Sequence, residues 1–466
     1  MKVLFLVIVI LGLSSCSFYP RHRHADVDIP EDWRLPAGDF DNIANLQWWQ
    51  LFEDSILDAL IREALANNRD LKAAVARVYQ YYALFAVEGS ALFPTVNLEA
   101  SAIRQKNPLP LEFPQIGRFN DIFTVSLNLA YEIDFWGRIR NLTEAAYYDY
   151  LAQEKAYRRV ILILVSNLAT TYVRLRQYDK QWEIAKRTVE SRKVSLEIAR
   201  LRFEGGLTSE IEVKQAQSEL EIAIVRVKQL EILIPRQENQ ISVLIGTAPT
   251  DIIRGKRLED LSLPPCVPAG LPCHLLKQRP DIMEAQYNLQ AALHRFGAAQ
   301  AEFFPKISLT GMYGSQSFEL KELFSGGAEM WSYGVNLFQP IFDAGRIYFR
   351  NQAVDAFSWQ KMAEYEQIIL VALREVNDAL IAHKKNLELV EVQKRRVEAL
   401  QGYRNLAQIQ YDNGQVDYLN ILDAERSLFD AELDYVASQS ESFVTLINLY
   451  RSLGGGWDIP VIPTCQ

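Results

Sequence analysis

The sequence predicts an exported α+β membrane protein with an internal tandem repeat, and three observations lead to this fold class. The chain opens with a signal-type apolar run, several short motifs recur at one spacing, and helical stretches alternate with segments of period-two hydrophobicity. Its 466 residues, of which 49% are hydrophobic and 23% charged, are enough to bury a sizeable core. A disordered or collagen-like chain is therefore excluded.

The N-terminus has the pattern of a bacterial lipoprotein signal. Residues 3–13 form an apolar run that is too short to span a bilayer as a helix but has the length of a signal-peptide core. The run ends in Leu-Ser-Ser-Cys, where small residues precede Cys16 as in a lipobox. We therefore expect residues 1–15 to be a removed signal peptide and Cys16 to carry a lipid anchor for the outer membrane. A chance cysteine behind an ordinary signal peptide is the alternative.

Composition and cysteine spacing argue against several functional classes. The 49 Lys and Arg residues are scattered and are outnumbered by 58 Asp and Glu residues, so nucleic acid is not an expected partner. Five histidines and four cysteines show no metal-site or haem-site spacing, and no Gly-rich phosphate loop is present, so neither a metal nor a cofactor is expected. Cys266 and Cys273 flank a Pro-rich segment, and a disulfide between them is an open alternative to two free thiols.

Recurring motifs indicate a tandem duplication of about 210 residues. Residues 203–211 resemble residues 411–419, which matches Gly206 to Gly414 at a spacing of 208 residues. The same spacing separates the Gly-Arg-Ile motif at 137–139 from its second copy at 345–347. We therefore divide the mature chain into a lipid-anchored N-terminal segment at 16–56, repeat 1 at 57–246, a Pro/Gly-rich equatorial connector at 247–275, repeat 2 at 276–456 and a C-terminal tail at 457–466.

Each repeat predicts one very long helix and one returning helix. No glycine or proline occurs over the 66 residues from Arg138 to Phe203, which as a helix would be ~100 Å long. Gly206 and Gly414 follow at positions where a left-handed residue ends a helix, so we expect returning helices at 208–245 and 416–453. The long stretch carries an apolar column of period seven, which is typical of supercoiled helices. Its members are Ile161, Leu168, Leu175, Trp182, Val189, Leu196 and Phe203.

Segments of alternating hydrophobicity predict one amphipathic strand hairpin in each repeat. From 123 to 135 the odd positions are apolar, and similar alternation occurs at 95–102, 307–313 and 333–341. A soluble sandwich would also alternate, but the lipoprotein signal favours a membrane. Backbone groups in lipid must all be paired, so exported strands cross a membrane only as a closed barrel. Four strands are too few to enclose a channel, so we expect the barrel to be shared between subunits.

Several motifs together resemble the TolC-like outer-membrane factor family, and specifically its lipid-anchored, NodT/OprM-like efflux branch. The resemblance covers residues 48–457, and its motifs are Trp48-Trp49, Glu302-Phe303-Phe304-Pro305, and the segments 336–346, 422–428 and 449–457. It implies a homotrimer whose hairpins form a twelve-stranded outer-membrane β-barrel. A long α-helical coiled-coil barrel would continue this β-barrel into the periplasm.

The same resemblance implies a passive exit duct rather than an enzyme. Its partners would be a periplasmic adaptor, or membrane fusion protein, and an inner-membrane transporter of the resistance-nodulation-division (RND) class. Together they would form a tripartite efflux system for small molecules. The alternative is an outer-membrane lipoprotein scaffold or adhesin, which would pass no ion current. An enzyme would need a clustered acid, base or nucleophile, and the scattered carboxylates show none.

The resemblance also assigns roles to residues at the two glycine turns. The expected adaptor contacts are Gly206, Leu207, Thr208, Gly414, Gln415 and Val416. Leu419 and Asp423 lie four residues apart, and therefore on one helix face, at positions that match the family's channel gate. Alternatively, the glycines merely end helices, Leu419 packs between helices and Asp423 is solvated.

Replacing Cys16 by alanine should abolish lipidation and alter signal cleavage, because the thiol is the acylated group. Intact mass spectrometry of the wild-type protein from membranes should show a chain that begins at Cys16 and carries acyl groups. A wild-type mass without any acyl chain would exclude the anchor.

Overall fold

We describe the computed structural model of the protein over residues 27–30, 33–34, 47–106, 119–262 and 275–455. Cys16, Cys266 and Cys273 lie outside these residues, so the lipid anchor and the disulfide stay predictions. The α-helices in this part of the chain are α1 (Ser55–Asn67), α2 (Arg69–Ser90), α3 (Arg138–Glu204), α4 (Glu210–Ile245), α5 (Leu275–Gln278), α6 (Pro280–Ala301), α7 (Arg346–Asp412) and α8 (Tyr418–Ser452). The strands are β1 (Thr95–Lys106), β2 (Phe119–Ile133), β3 (Lys306–Ser317) and β4 (Glu329–Phe338).

The described residues fall into two compact units. One unit includes Arg77–Gln153 and Glu284–Glu366, and it contains all four strands with the adjoining parts of the helices. The other unit contains the described parts of Val27–Ala76, Glu154–Met283 and Gln367–Gln466, which are mainly helical. No helix of the described chain is long and apolar enough to cross a membrane.

The four strands form one antiparallel sheet in the order β1-β2-β3-β4. β1 and β2 form one hairpin and β3 and β4 form the other, which confirms the two predicted hairpins. The hairpins are joined through pairing of β2 with β3, where Leu127 lies opposite Tyr313. The outer edges of β1 and β4 have no strand partner in the described chain.

Both long helices begin in the same way, at an aspartate that precedes a glycine in the left-handed region. Asp134 accepts hydrogen bonds from the backbone N–H groups of Ile139 and Arg140, at 2.9 and 2.8 Å. Asp343 does the same for the N–H groups of Gly345 and Ile347, at 3.0 and 2.9 Å. A carboxylate at a helix start satisfies free N–H groups and interacts favourably with the helix dipole.

The long helices have nearly the predicted bounds. α3 and α7 each contain 67 residues, and the returning helices α4 and α8 begin two residues later than expected. The delay arises because Ser209 and Asp417 adopt extended backbone conformations before the first helical residue. Most of the predicted apolar column in α3 is buried, but Phe203 at its end is exposed.

Within the mainly helical unit, aromatic packing and one buried carboxylate hold the N-terminal residues against the helices. Trp48 is fully buried and stacks on Tyr450 at a centroid distance of 5.6 Å. The carboxylate of Asp54 is buried, and it accepts hydrogen bonds from the Tyr172 hydroxyl at 2.8 Å and the Lys256 N–H at 3.0 Å. Asp54 also accepts from two N–H groups that begin α1, so a buried charge is fully hydrogen-bonded here.

Candidate functional site

One face of the sheet is apolar across all four strands. The register places Leu127 opposite Tyr313 and Tyr313 opposite Trp331, so the apolar positions of neighbouring strands line up. This face contains Val96, Leu98, Ala100, Ala102, Phe123, Val125, Leu127, Leu129, Tyr131, Ile133, Ile307, Leu309, Tyr313, Trp331, Tyr333, Val335 and Leu337. Many of these side chains are exposed in the single chain, and Tyr333 is 83% exposed. A contiguous exposed apolar surface of this kind indicates contact with a membrane or another protein.

Charges on the apolar face are confined to the strand ends next to the β1–β2 and β3–β4 connections. Arg104 lies 3.5 Å from Asp121 on the neighbouring strand, and Lys106 lies over the ring of Phe119. Glu329 begins β4 at the same end of the sheet. These groups limit the apolar band on one side, as charged and aromatic side chains do at a lipid boundary.

The opposite face of the sheet carries mostly short polar side chains. Asn128 lies at its centre and donates to the Ser126 hydroxyl at 3.2 Å and to Glu99 at 3.3 Å. Other members of this face are Asn97, Ser101, Thr124, Ser308, Thr310, Ser332 and Asn336. The sheet is therefore amphipathic, with one surface suited to lipid and the other to water.

The two turns at the ends of the long helices have the same hydrogen-bond pattern. In the first turn, the N–H groups of Gly206 and Leu207 donate to carbonyl oxygens of the last helical turn at 2.9 and 2.8 Å. Gly414 and Gln415 form the equivalent bonds, also at 2.9 and 2.8 Å. The glycines have φ values of 72° and 70°, which completes a Schellman motif at each turn.

The turn residues present different side chains to solvent. Leu207 is 75% exposed, and Gln415 is exposed at the equivalent position of the second turn. Thr208 and Val416 are half-buried, and the Thr208 hydroxyl has no hydrogen-bond partner. The two turns are alike in backbone and unlike in polarity, so they offer different contacts to any partner.

Leu419 and Asp423 are both exposed on α8, one turn of helix apart. Leu419 is 62% exposed in the single chain. The Tyr403 hydroxyl of α7 donates to Asp423 at 3.4 Å, and the Arg426 guanidinium lies 3.7 Å from the other carboxylate oxygen. The carboxylate is therefore held on the surface between a neutral donor and one cation.

Four charged side chains, one from each of α3, α4, α7 and α8, form a cluster that we call the charge quartet. Arg192 of α3 lies 3.1 Å from Glu219 of α4, and Arg404 of α7 lies 3.9 Å from Glu425 of α8. The Arg192 side chain is only 3% exposed. The four formal charges sum to zero, and Arg404, at 39% exposure, is the member most in contact with solvent. A cavity of about 400 Å³ adjoins Arg192, Arg404 and Glu425.

Burial shifts the pKa values of two members of the charge quartet, Glu425 and Arg192. Desolvation raises the pKa of the Glu425 carboxyl, although Arg404 and Arg192 act in the opposite direction. Desolvation lowers the pKa of the Arg192 guanidinium, against the effect of Glu219. Because the Glu425 pKa is raised in the folded protein, its contribution to stability is greatest at low pH and is lost as pH rises through that pKa.

The long helices and the returning helices, α3, α4, α7 and α8, are together called the hairpin helices. Three of them, α3, α4 and α7, carry stripes of apolar side chains that the single chain leaves exposed. The exposed residues include Val194, Ile198 and Leu201 on α3, Ile222, Val225 and Ile232 on α4, and Val392, Leu406 and Ile409 on α7. Their spacings of three, four and seven residues, with longer intervals on α7, place most of them on shared helix faces. Such stripes are the surfaces by which helices pack against further helices.

An amphipathic antiparallel sheet in a chain that also has two helices of 67 residues indicates a membrane-associated protein of the α+β class. Residues 60–247 and 271–455 match the model of the outer membrane efflux protein family. The chain belongs to this family.

Named relatives of this chain are components of bacterial efflux pumps. It is 34% identical to the probable efflux pump outer membrane protein TtgC of Pseudomonas putida, over 98% of this chain and 96% of TtgC. It is 32% identical to the cation efflux system protein CusC of Escherichia coli, over 96% of this chain and 97% of CusC. The solved CmeC outer membrane channel of Campylobacter jejuni superposes with a TM-score of 0.88 at 26% identity, covering 95% of each chain.

Sequence reasoning missed the side chains that surround Asp423 and the charge quartet. Arg426 lies three residues after Asp423, so helix periodicity alone could have identified this pair. Tyr403 lies on a different helix, and its contact depends on how α7 packs against α8. The partners in the charge quartet likewise depend on helix packing, for which the sequence holds no local signal.

Two neighbouring substitutions in β4 should separate the roles of the sheet faces. Val335→Lys places a charge on the apolar face and should destabilise membrane insertion by about 2–4 kcal/mol, the cost of a cation near the middle of a bilayer. Asn336→Lys adds the same side chain on the polar face and should be tolerated. The measurement is the amount of folded protein in outer-membrane fractions. Equal loss for both variants would contradict the assignment of the faces.

Proposed function

We propose that this protein is the passive outer-membrane exit duct of a tripartite efflux system, which carries small molecules from a pump and adaptor across the periplasm and outer membrane. The exposed apolar face of the sheet carries the proposal. The four strands contain 12, 15, 12 and 10 residues. Each is long enough to cross the hydrocarbon core, since a tilted strand needs about 9–11 residues.

The free edges of the sheet support a barrel shared by three copies of the chain. In lipid, the unpaired backbone groups of β1 and β4 need partners, and β4 of one copy can pair with β1 of the next in antiparallel fashion. Two copies would supply only eight strands, and a barrel of about eight strands is filled by its own side chains. Three copies of the four-stranded sheet supply twelve strands, which leaves an open lumen.

The exposed apolar stripes on α3, α4 and α7 support the same homotrimer. A single chain leaves these stripes in water, whereas packing against the helices of neighbouring copies would bury them. We infer that the hairpin helices of three chains form a coiled-coil barrel in the periplasm, with the lipid on Cys16 as an additional anchor. The family membership and the efflux relatives support this arrangement.

The proposed partners would supply the energy source that a passive pore lacks. An inner-membrane transporter of the RND class would supply the energy, and a periplasmic adaptor would join it to the duct. One of the relatives named above is a cation efflux protein and the name of another gives no substrate, so we propose small-molecule export as the function without choosing a narrower substrate.

We propose that the two glycine turns contact the adaptor. Gly206, Leu207 and Thr208 form the first contact, and Gly414, Gln415 and Val416 form the second. The exposed Leu207 offers an apolar contact, and Gln415 offers a hydrogen-bonding one. The Schellman motifs support this role because they hold these residues in a defined backbone conformation.

We propose that Leu419 and Asp423 form the channel gate. Three copies would place an apolar ring and a carboxylate ring one helical turn apart in the lumen. The exposure of both side chains within a single chain supports this role, since a gate residue must be free to meet its copies. The contacts of Asp423 with Tyr403 and Arg426 would fix where its charge lies.

Leu207→Trp and Gln415→Trp should each abolish efflux while leaving trimers intact, because the adaptor meets an altered turn. The measurement is drug or solvent tolerance of cells that depend on this duct, together with trimer content on native gels. Leu323→Ile, a mild change in the separate β3–β4 connection, serves as the control. Unchanged tolerance in both Trp variants would place the adaptor contact elsewhere.

Purified wild-type trimers should conduct ions in planar bilayers, whereas a scaffold or adhesin would pass no current. The double variant Leu419→Ser with Asp423→Ala should have a larger single-channel conductance and a weaker cation preference, because both rings of the gate are removed. Asn420→Ser, on the same helical turn, is the control. A double variant with wild-type conductance would show that the constriction lies at another position.

A further inference from the structure

Glu99 is the one unbalanced charge in the central part of the polar sheet face. Among the described strand residues, this face carries only three charged side chains, which are those of Glu99, Glu132 and Lys306. The Glu132 carboxylate accepts two hydrogen bonds from Arg138 Nη2, at 2.8 and 2.9 Å, so its charge is balanced by a cation. The Glu99 side chain is exposed, and its carboxylate accepts a hydrogen bond from the neutral amide of Asn128 at 3.3 Å.

Lys306 is too distant along the sheet to balance Glu99. The register aligns Glu99 with Ser126, and Ser126 with Gly314. Lys306 lies eight residues before Gly314 in β3, which corresponds to about 26 Å along the strand. This separation is roughly three Debye lengths at physiological ionic strength, so the two charges are screened from each other under those conditions. In more dilute salt Lys306 acts equally on the wild type and on variants of Glu99, so it does not affect a comparison between them.

A neighbouring copy of the strand β4 cannot supply a balancing cation either. The polar-face positions of β4 are occupied by Met330, Ser332, Gly334, Asn336 and Phe338, and none of them is charged. This holds for every register in which β4 of one copy pairs with β1 of the next with their polar faces aligned. Pairing of β4 with β1 of the next copy therefore places no cationic side chain of β4 beside Glu99.

We propose that Glu99 determines the charge selectivity of the barrel lumen, where three copies form a carboxylate ring that favours cationic over anionic solutes. This inference rests on the proposed function, because it requires the polar face of the sheet to line the lumen. The amide of Asn128 orients the carboxylate without neutralising it. The ring is separate from the Asp423 ring on α8, so the duct carries two acidic positions on different elements.

Ionic strength distinguishes a charge ring in a wide lumen from a constriction. At 10 mM salt the Debye length is about 30 Å and the fields of the three carboxylates overlap, whereas at 1 M it is about 3 Å. The contribution of Glu99 should therefore be large in dilute salt and absent in concentrated salt. This salt dependence is a property of the charge and not of the packing around it.

The test measures the K⁺/Cl⁻ permeability ratio of full-length trimers in planar bilayers, with KCl gradients whose mean concentration is about 10 mM in one series and about 1 M in the other. We expect Glu99→Gln to lower the ratio about twofold or more in dilute salt and to leave it unchanged in concentrated salt. The matched rescue is Glu99→Gln combined with Ser101→Glu, which moves the carboxylate two residues along the same face and should restore the ratio. Glu99→Ser is a second neutral variant if the first inserts poorly.

The outcomes separate this inference from the proposed function. Wild-type trimers without current would overturn the proposed duct itself. Wild-type current with a permeability ratio that neither Glu99→Gln nor Glu99→Ser lowers in dilute salt would overturn the role of Glu99 alone. A ratio that falls equally at both salt concentrations would also overturn it, because such a change would come from altered pore shape.

Discussion

Backbone hydrogen bonding at the two outer edges of the sheet constrains the whole molecule. In the described chain, β1 pairs with β2, β2 with β3 and β3 with β4, so the backbone groups on one side of β1 and on one side of β4 have no strand partner. These edges lie beside a sheet face rich in Leu, Val and Tyr. Water can satisfy such edges, but hydrocarbon cannot. A chain that places this face in lipid must therefore find its missing strand neighbours in other copies. In the proposed barrel, subunit association is therefore a requirement for membrane insertion, not an addition to a finished fold.

The helices satisfy a different constraint, since they meet water along much of their length. Their first N–H groups bond to Asp134 and Asp343, and their last carbonyl groups bond within the glycine turns. Each long helix therefore begins and ends with satisfied backbone groups at both repeats. Between these ends, apolar columns pack within the chain and the exposed stripes stay available for neighbours. The capping contacts thus lie at the ends of each long helix, and the apolar surface that is free to contact another chain lies between them.

The strands, the long helices and the glycine turns could be predicted because their signals are local. Alternating hydrophobicity marks strands within a few residues, and Gly206 with Gly414 marks helix ends through backbone conformation alone. The contact between Glu99 and Asn128 could not be predicted, because it depends on the register of two strands across a connection. The charge quartet depends on the rotation of four helices about their axes, which no local pattern encodes.

The charge quartet also limits which substitutions the two halves of this chain can accept. One repeat supplies Arg192 and Glu219, and the other supplies Arg404 and Glu425, around a shared buried region. Loss of Glu219 removes the nearest counter-charge of the buried Arg192 guanidinium, and removal of one partner of a buried ion pair typically destabilises a protein by several kcal/mol. We therefore expect a neutralising change at Glu219 to need a compensating change in a cationic member of the quartet. Residues from the two halves of the chain therefore depend on one another at these positions.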